Sequence, residues 1–178
     1  MAISEFTEIA NQEVQRIAEG YASECCLEMF VGSSPIAEDS PLAVEDSALC
    51  YCAVIGFSGK AFRGSLVVGF SGAARAHLQE NSGNADRDAL GELSNQLLGR
   101  LKNRLLRHEV ELYLGIPVVL RGEHFSPVPR RELTALRFRL GKGDLTIWIE
   151  IECFDGFTLR SEPIECEPPM EEGASMMF

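Results

Sequence analysis

Residues 91–105 have the sequence GELSNQLLGRLKNRL, and the spacing of the leucines predicts an amphipathic helix. With residues placed about 100° apart, the leucines share one broad side, and the opposite side holds Glu92, Asn95, Gln96, Gly99 and Asn103. Glycine inside a helix costs about 0.5–1 kcal/mol relative to alanine, and asparagine is also a weak helix former. We therefore expect Gly99 to let something outside the helix approach the surface that displays Glu92 and Asn95.

Length and composition indicate one domain with a real core, because the chain has 178 residues and 46% of them are hydrophobic. The net charge of −11 argues against a nucleic-acid partner, since phosphate backbones require a positive surface. No apolar run approaches the roughly 20 residues that span a bilayer, and no basic start precedes an apolar stretch. The expected protein is cytoplasmic and binds neither nucleic acid nor membrane.

The cysteines and histidines give no recognisable metal or hydrolase motif. Six cysteines occur without paired C-x-x-C spacing, and no histidine stands in an H-E-x-x-H pattern or near a G-x-S-x-G serine. We interpret the thiols as reduced and mostly buried. Cys50 and Cys52 alternate with Tyr51, which predicts both thiols on one face of a strand. A metal site built from Cys25, Cys26, Cys50 and Cys52 is the alternative.

Periodicity and turn residues predict the order of elements along the chain. The apolar side of the first helix is expected to hold Phe6, Ile9, Ala10, Val14, Ile17 and Tyr21. From the amino end, the predicted elements are a helix over 4–22, a possible short strand near 27–31, a loop over 33–47, strands over 48–57 and 64–71, a short helix over 73–80 and the long helix over 86–108.

After the long helix the apolar residues follow a period of two, which predicts a β-hairpin around the turn GKGD. A turn centred on residues 142–143 places Leu140 opposite Leu145 on one face and Arg137 opposite Trp148 on the other. The predicted fold is α+β, with a mostly antiparallel sheet and the long amphipathic helix packed across one face. Residues 1–165 are expected to form this domain, and residues 166–178 a flexible acidic tail.

Two segments resemble the signature of a known family. Asp88 to Gly99, DALGELSNQLLG, is followed by Gly115 to Gly122, GIPVVLRG. Together they resemble the CheC/CheX/FliY family of chemotaxis phosphatases, and the single-motif form is most similar to CheX. In that family an E-x-x-N pair on a long surface helix engages a phosphorylated CheY-type response regulator and speeds hydrolysis of its aspartyl phosphate.

The resemblance implies an enzyme in which Asn95 positions the attacking water and Glu92 docks the response regulator. It also implies that neighbouring residues contact the partner, and that the Mg²⁺ ion of the reaction belongs to the partner, so that this chain needs no cofactor of its own. The expected partner-binding residues are Asp88, Gln96, Gly99 and Asn103.

Several alternatives stay open at the level of sequence. A second E-x-x-N occurs at Glu8 and Asn11, and relatives of the CheC type carry two active motifs, but Gln15 replaces the glycine that follows the first motif. The chain is alternatively a non-catalytic CheX-like module that binds a receiver domain or a flagellar-switch component. A homodimer is possible, and the sequence does not identify the response regulator.

Overall fold

A computed structural model describes residues 2–37, 49–74, 86–122 and 133–164. These residues form an α+β fold with an antiparallel sheet, which confirms the predicted class. Neither of its helices is long and apolar enough to cross a membrane. The elements are α1 (Ala2–Met29), β1 (Ser34–Pro35), β2 (Leu49–Gly59), β3 (Phe62–Ser71), a 3₁₀ turn (Gly72–Ala74), α2 (Asp86–Leu106), β4 (Tyr113–Leu114), β5 (Val118–Arg121), β6 (Leu136–Leu140) and β7 (Gly143–Cys153).

The first helix is longer than the predicted 4–22, and the short strand near 27–31 is wrong because α1 continues to Met29. The first strand instead lies at Ser34–Pro35, inside the segment predicted as a loop. The buried side of α1 continues beyond residue 22 through small side chains. Such side chains contribute little to a sequence pattern of apolar residues, so the pattern ended too early. Ile9, predicted on the apolar side, is 60% exposed. The fully buried residues of α1 are Val14, Ala18, Ala22, Cys25 and Cys26.

The sheet follows the order β1-β6-β7-β3-β2-β4, and β5 also pairs with β2. All these pairings are antiparallel, and the long strands β2 and β3 confirm the predicted pair at 48–57 and 64–71. One hydrophobic core joins alternate residues of β2, β3 and β7 to both helices. α2 packs against β2, β3 and β5, and α1 packs against β7 and α2.

The predicted hairpin forms between β6 and β7, but its register is shifted by two residues. Leu140 pairs with Gly143 rather than Leu145, so the turn consists of Gly141 and Lys142. Gly141 has a φ of 58°, a conformation that favours glycine in such turns. Gly143 serves a different purpose, because a Cβ atom there would lie 2.1 Å from the backbone nitrogen of Ala74. A shift of two preserves which face each residue occupies.

The same shift changes the cross-strand partners on the other face. Arg137 pairs with Thr146, not with Trp148, and Trp148 pairs with Val67 of β3.

The long helix predicted over 86–108 is confirmed and ends at Leu106. Of the short helix predicted over 73–80, the described part is the 3₁₀ turn, and residues 75–80 lie outside the described residues. The tail predicted over 166–178 also lies outside them.

Side chains of α1 complete one edge of the sheet. β6 pairs with β7 only as far as Ile147, which leaves backbone groups of the next residues without a strand partner on that side. Gln15 Nε2 donates to the carbonyl of Ile149 at 2.6 Å, and Gln15 Oε1 accepts from the N–H of Ile151 at 3.1 Å. These amide contacts satisfy buried backbone groups that would otherwise be costly.

Candidate functional site

Six residues of α2 form a polar surface, which we call the polar ridge: Asp88, Glu92, Asn95, Gln96, Gly99 and Asn103. The structure brings all six sequence-predicted site residues to this surface of the helix. Gly99 is partly exposed and the other five are exposed. The opposite side is buried in the core through Leu90, Leu97, Leu98, Leu101 and Leu105.

The buried side holds the polar ridge in a fixed orientation. Leu97 lies between Asn95 and Gly99 in sequence and is 2% exposed, so rotation of the helix would pull it out of the core. Ser94 is fully buried and its hydroxyl donates to the carbonyl of Leu90 at 2.8 Å within the same helix. Because Glu92 and Asn95 are three residues apart, their side chains project from the same face one turn apart.

Glu92 makes a side-chain hydrogen bond within the polar ridge. Gln96 Nε2 donates a hydrogen bond to Glu92 Oε1 at 3.0 Å, one helical turn later. Asn95 makes no side-chain hydrogen bond with another of the described residues. Its amide oxygen and nitrogen are therefore available to a molecule at the surface.

Gly99 has open space where a side chain would be. A Cβ atom built on Gly99 meets no neighbouring atom within 4 Å among the described residues. No packing contact in that part of the chain explains a glycine in the helix interior. Gly91 differs, because a Cβ atom there would contact Val119 at 3.7 Å and Pro117 at 3.9 Å.

These contacts give a structural role to the second motif, Gly115 to Gly122, which the sequence left without one. Pro117 and Val119 lie beside α2 at Gly91, the residue just before Glu92. Gly115 N donates to Gly56 O at 2.8 Å, and a Cβ atom on Gly115 would approach the same oxygen to 2.8 Å. Glycine at 115 therefore permits the close backbone approach that positions this segment against β2.

Charge is distributed unevenly along α2. Asp88 and Glu92 make the first half of the polar ridge negative, while two arginines in the second half of the helix pair with α1. Arg100 lies 3.4 Å from a carboxylate oxygen of Glu28, and Arg104 contacts both Glu24 and Glu28. These exposed pairs contribute little to stability individually, but they occupy the arginines. The charge offered by Glu92 thus suits a cation on a partner.

The second E-x-x-N has a different environment. Asn11 is 4% exposed, and its Oδ1 accepts a hydrogen bond from the backbone N–H of Cys153 at 2.7 Å. It continues the contacts that Gln15 makes along the edge of β7. Glu8 is exposed. The oxygen of Asn11 is committed to the fold, so the Glu8/Asn11 pair does not reproduce the exposed arrangement of Glu92 and Asn95.

The cysteines considered as metal ligands do not converge. Among the described residues, no group of three or more His, Cys, Asp or Glu side chains is placed to hold a metal ion. Burial raises the pKa of the thiols of Cys25, Cys26 and Cys52, which favours the protonated form. The register shifts between Leu49 and Tyr51, which interrupts the simple alternation predicted for Cys50 and Cys52.

Comparison with known proteins shows a similarity to CheX. The family model for the chemotaxis phosphatase CheX matches residues 51–138, a span that contains the polar ridge and the Gly115–Gly122 motif. Over this span the chain is CheX-like. No curated protein matches the sequence.

Solved structures share the CheX-like fold at low sequence identity. The chemotaxis protein CheX from Vibrio vulnificus has a TM-score of 0.61 and 21% identity, covering 77% of this chain and 95% of that chain. A CheC-like chemotactic protein from Shewanella oneidensis MR-1 has a TM-score of 0.62 and 19% identity, covering 80% and 99%. The CheX–CheY–BeF₃–Mg²⁺ complex from Borrelia burgdorferi gives 0.58 and 15%, covering 77% and 96%. These likenesses establish the fold of this CheX-like chain.

Proposed function

We propose that this CheX-like chain is a phosphatase that accelerates hydrolysis of the aspartyl phosphate of a CheY-type response regulator. The observation that carries the proposal is the pair Glu92 and Asn95, exposed one turn apart on a helix whose opposite side is locked in the core. The match of residues 51–138 to the CheX family model supports the reaction class. The Borrelia burgdorferi neighbour, solved as a complex with CheY, supports a receiver domain as the partner.

In this proposal Asn95 positions the water that attacks phosphorus. The amide Oδ1 accepts a hydrogen bond from the water, and Nδ2 donates to a phosphoryl oxygen. As the oxygen of the water bonds to phosphorus, the bond to the aspartyl oxygen breaks, the carboxylate leaves, and the proton of the water passes to phosphate or solvent. Positioning of this kind is worth on the order of 10²-fold, about 2.7 kcal/mol of barrier, without a strong base.

Glu92 is assigned to docking. Its carboxylate would pair with a cation of the receiver, a lysine beside the phosphorylation site, in a charge-assisted contact that fixes the register of the two proteins. Asp88 and Asn103 extend the contact surface along the helix, and Gly99 allows the loops of the receiver to approach. The Mg²⁺ ion belongs to the receiver, where it neutralises charge on the phosphoryl group.

Turnover separates this function from the alternative of a binding module. The decisive experiment follows the decay of a phosphorylated receiver domain from the same genome, with and without the purified protein at substoichiometric concentration. We expect decay to accelerate and each protein molecule to serve many receivers. Stable binding with an unchanged decay rate would instead establish a non-catalytic module.

Glu92→Lys tests the docking assignment in the same assay. The substitution places like charges together and costs about 1–3 kcal/mol of affinity. We therefore expect KM for the phosphorylated receiver to rise. The activity that is lost at low receiver concentration should be recovered in part when the receiver is saturating. Loss of the maximal rate with an unchanged KM would contradict the docking role.

A further inference from the structure

The hydrogen bond between Gln96 and Glu92 restricts the carboxylate to which the proposed function assigns docking. Gln96 Nε2 lies 3.0 Å from Glu92 Oε1, and both side chains are exposed. A free glutamate side chain samples several rotamers, and ordering it on binding weakens association. The contact with Gln96 supplies part of that ordering before a partner arrives.

We propose that Gln96 is a positioning residue, which orients the Glu92 carboxylate so that its second oxygen faces the cation of the receiver domain. The inference rests on the proposed function and deepens it, because it names the residue that prepares the docking contact. Gln96 acts here through Glu92 and does not itself touch the phosphoryl group.

Glutamine suits this task for an electrostatic reason. An amide donates one hydrogen bond to the carboxylate without adding charge, so the Glu92 side chain stays negative for its partner. Lysine or arginine at position 96 would also donate, but would cancel that charge through an i,i+4 ion pair. Glutamate at position 96 would repel it. The four-residue spacing lets the Gln96 amide reach Glu92 across one turn of the helix.

The hydrogen bond itself can be tested in the free protein. NMR spectra of the side-chain amide protons should show the Gln96 resonances shifting as the Glu92 carboxyl group is protonated, and Glu92→Ala should abolish that response. A Gln96 amide that does not respond, or that responds equally in Glu92→Ala, would overturn the proposal whether or not the protein is a phosphatase.

The docking consequence is tested with a receiver domain activated by beryllium fluoride and Mg²⁺. We expect Gln96→Ala to raise Kd about two- to tenfold, since an ordered side chain becomes free, and to leave the rate at saturating phosphorylated receiver unchanged. Gln96→Lys should raise Kd at least as much, despite restoring a donor. Gln12→Ala, which removes an exposed glutamine from α1, is the matched control and should change neither quantity.

A double-mutant cycle decides whether Gln96 acts through Glu92. In the Glu92→Ala background, Gln96→Ala should cause no further rise in Kd. An equal rise in both backgrounds, or none in the wild-type background, would refute the positioning role. If the wild-type protein neither binds the activated receiver nor accelerates phosphate loss, the proposed function is contradicted. The NMR experiment then still tests whether Gln96 donates to Glu92.

Discussion

Replacing Gly99 by alanine should stabilise the free protein while weakening its contact with the receiver. A Cβ atom at Gly99 meets nothing within 4 Å among the described residues, so the methyl group introduces no clash there. Alanine is favoured over glycine in a helix interior by about 0.5–1 kcal/mol. For a chain of this size, each kcal/mol raises Tm by about 2–4 °C. We therefore expect Tm to rise by about 1–4 °C in thermal unfolding.

The effect on binding has the opposite sign. If the receiver packs closely over Gly99, an added methyl group forces the two surfaces apart and costs about 1–2 kcal/mol, by analogy with overpacked cores. This corresponds to a Kd about five- to thirtyfold higher for the activated receiver. Isothermal titration measures that change, and the decay of phosphorylated receiver should show a matching rise in KM.

Gly20 provides the matched control, because it also lies inside a helix and a Cβ atom there meets nothing within 4 Å. Gly20→Ala should raise Tm by a similar amount and leave binding unchanged, since α1 carries no part of the polar ridge. Equal binding and turnover by the two variants would show that the receiver does not approach Gly99. A fall in the Tm of Gly99→Ala would show that the glycine has a structural role in the free protein.

Two further predictions concern the fold. Asn11→Ala removes the buried hydrogen bond that its Oδ1 accepts from the N–H of Cys153, so the free energy of unfolding should fall by about 1–3 kcal/mol. Turnover by the folded protein should be retained, and lost turnover at an unchanged Tm would revive a second site at Asn11. Ile149→Asp places a charge at a position that is 1% exposed and should prevent folding or lower Tm severely. Glu150→Gln, on the other face of β7, should change Tm little. Similar melting curves for the two variants would contradict the face assignment of the strand.

The sequence predicted the faces of α2 and of the β6–β7 hairpin better than it predicted the buried surface of α1 or the strand register. The leucine stripe of α2 specifies both its extent and its exposed side, because one periodic apolar surface must face the core. The hairpin between β6 and β7 was predicted with the correct faces, for alternation fixes parity. Its register was missed because Gly143 is required beside Ala74, a contact that local turn chemistry does not reveal.

The buried surface of α1 was harder to predict, since its decisive partners are backbone atoms far along the chain. Asn11 and Gln15 look like surface residues in a helical pattern, yet their amides bind the edge of β7. In the candidate site, periodicity predicted the outward direction of five residues of the polar ridge, and the sixth, Asp88, was expected there from the family resemblance. The hydrogen bond between Gln96 and Glu92 depends on side-chain rotamers, which an apolar pattern does not specify.

Asn95→Ala gives the most direct test of the catalytic claim. The side chain is exposed and forms no hydrogen bond with another described residue, so its removal should leave Tm and the Kd for the activated receiver nearly unchanged. The measurement is the decay rate of phosphorylated receiver at a saturating concentration of the variant, compared with the wild type. We expect a loss of about 10²-fold, which removes most of the acceleration. Full acceleration by Asn95→Ala, in an assay where the wild type is active, would show that Asn95 does not position the water.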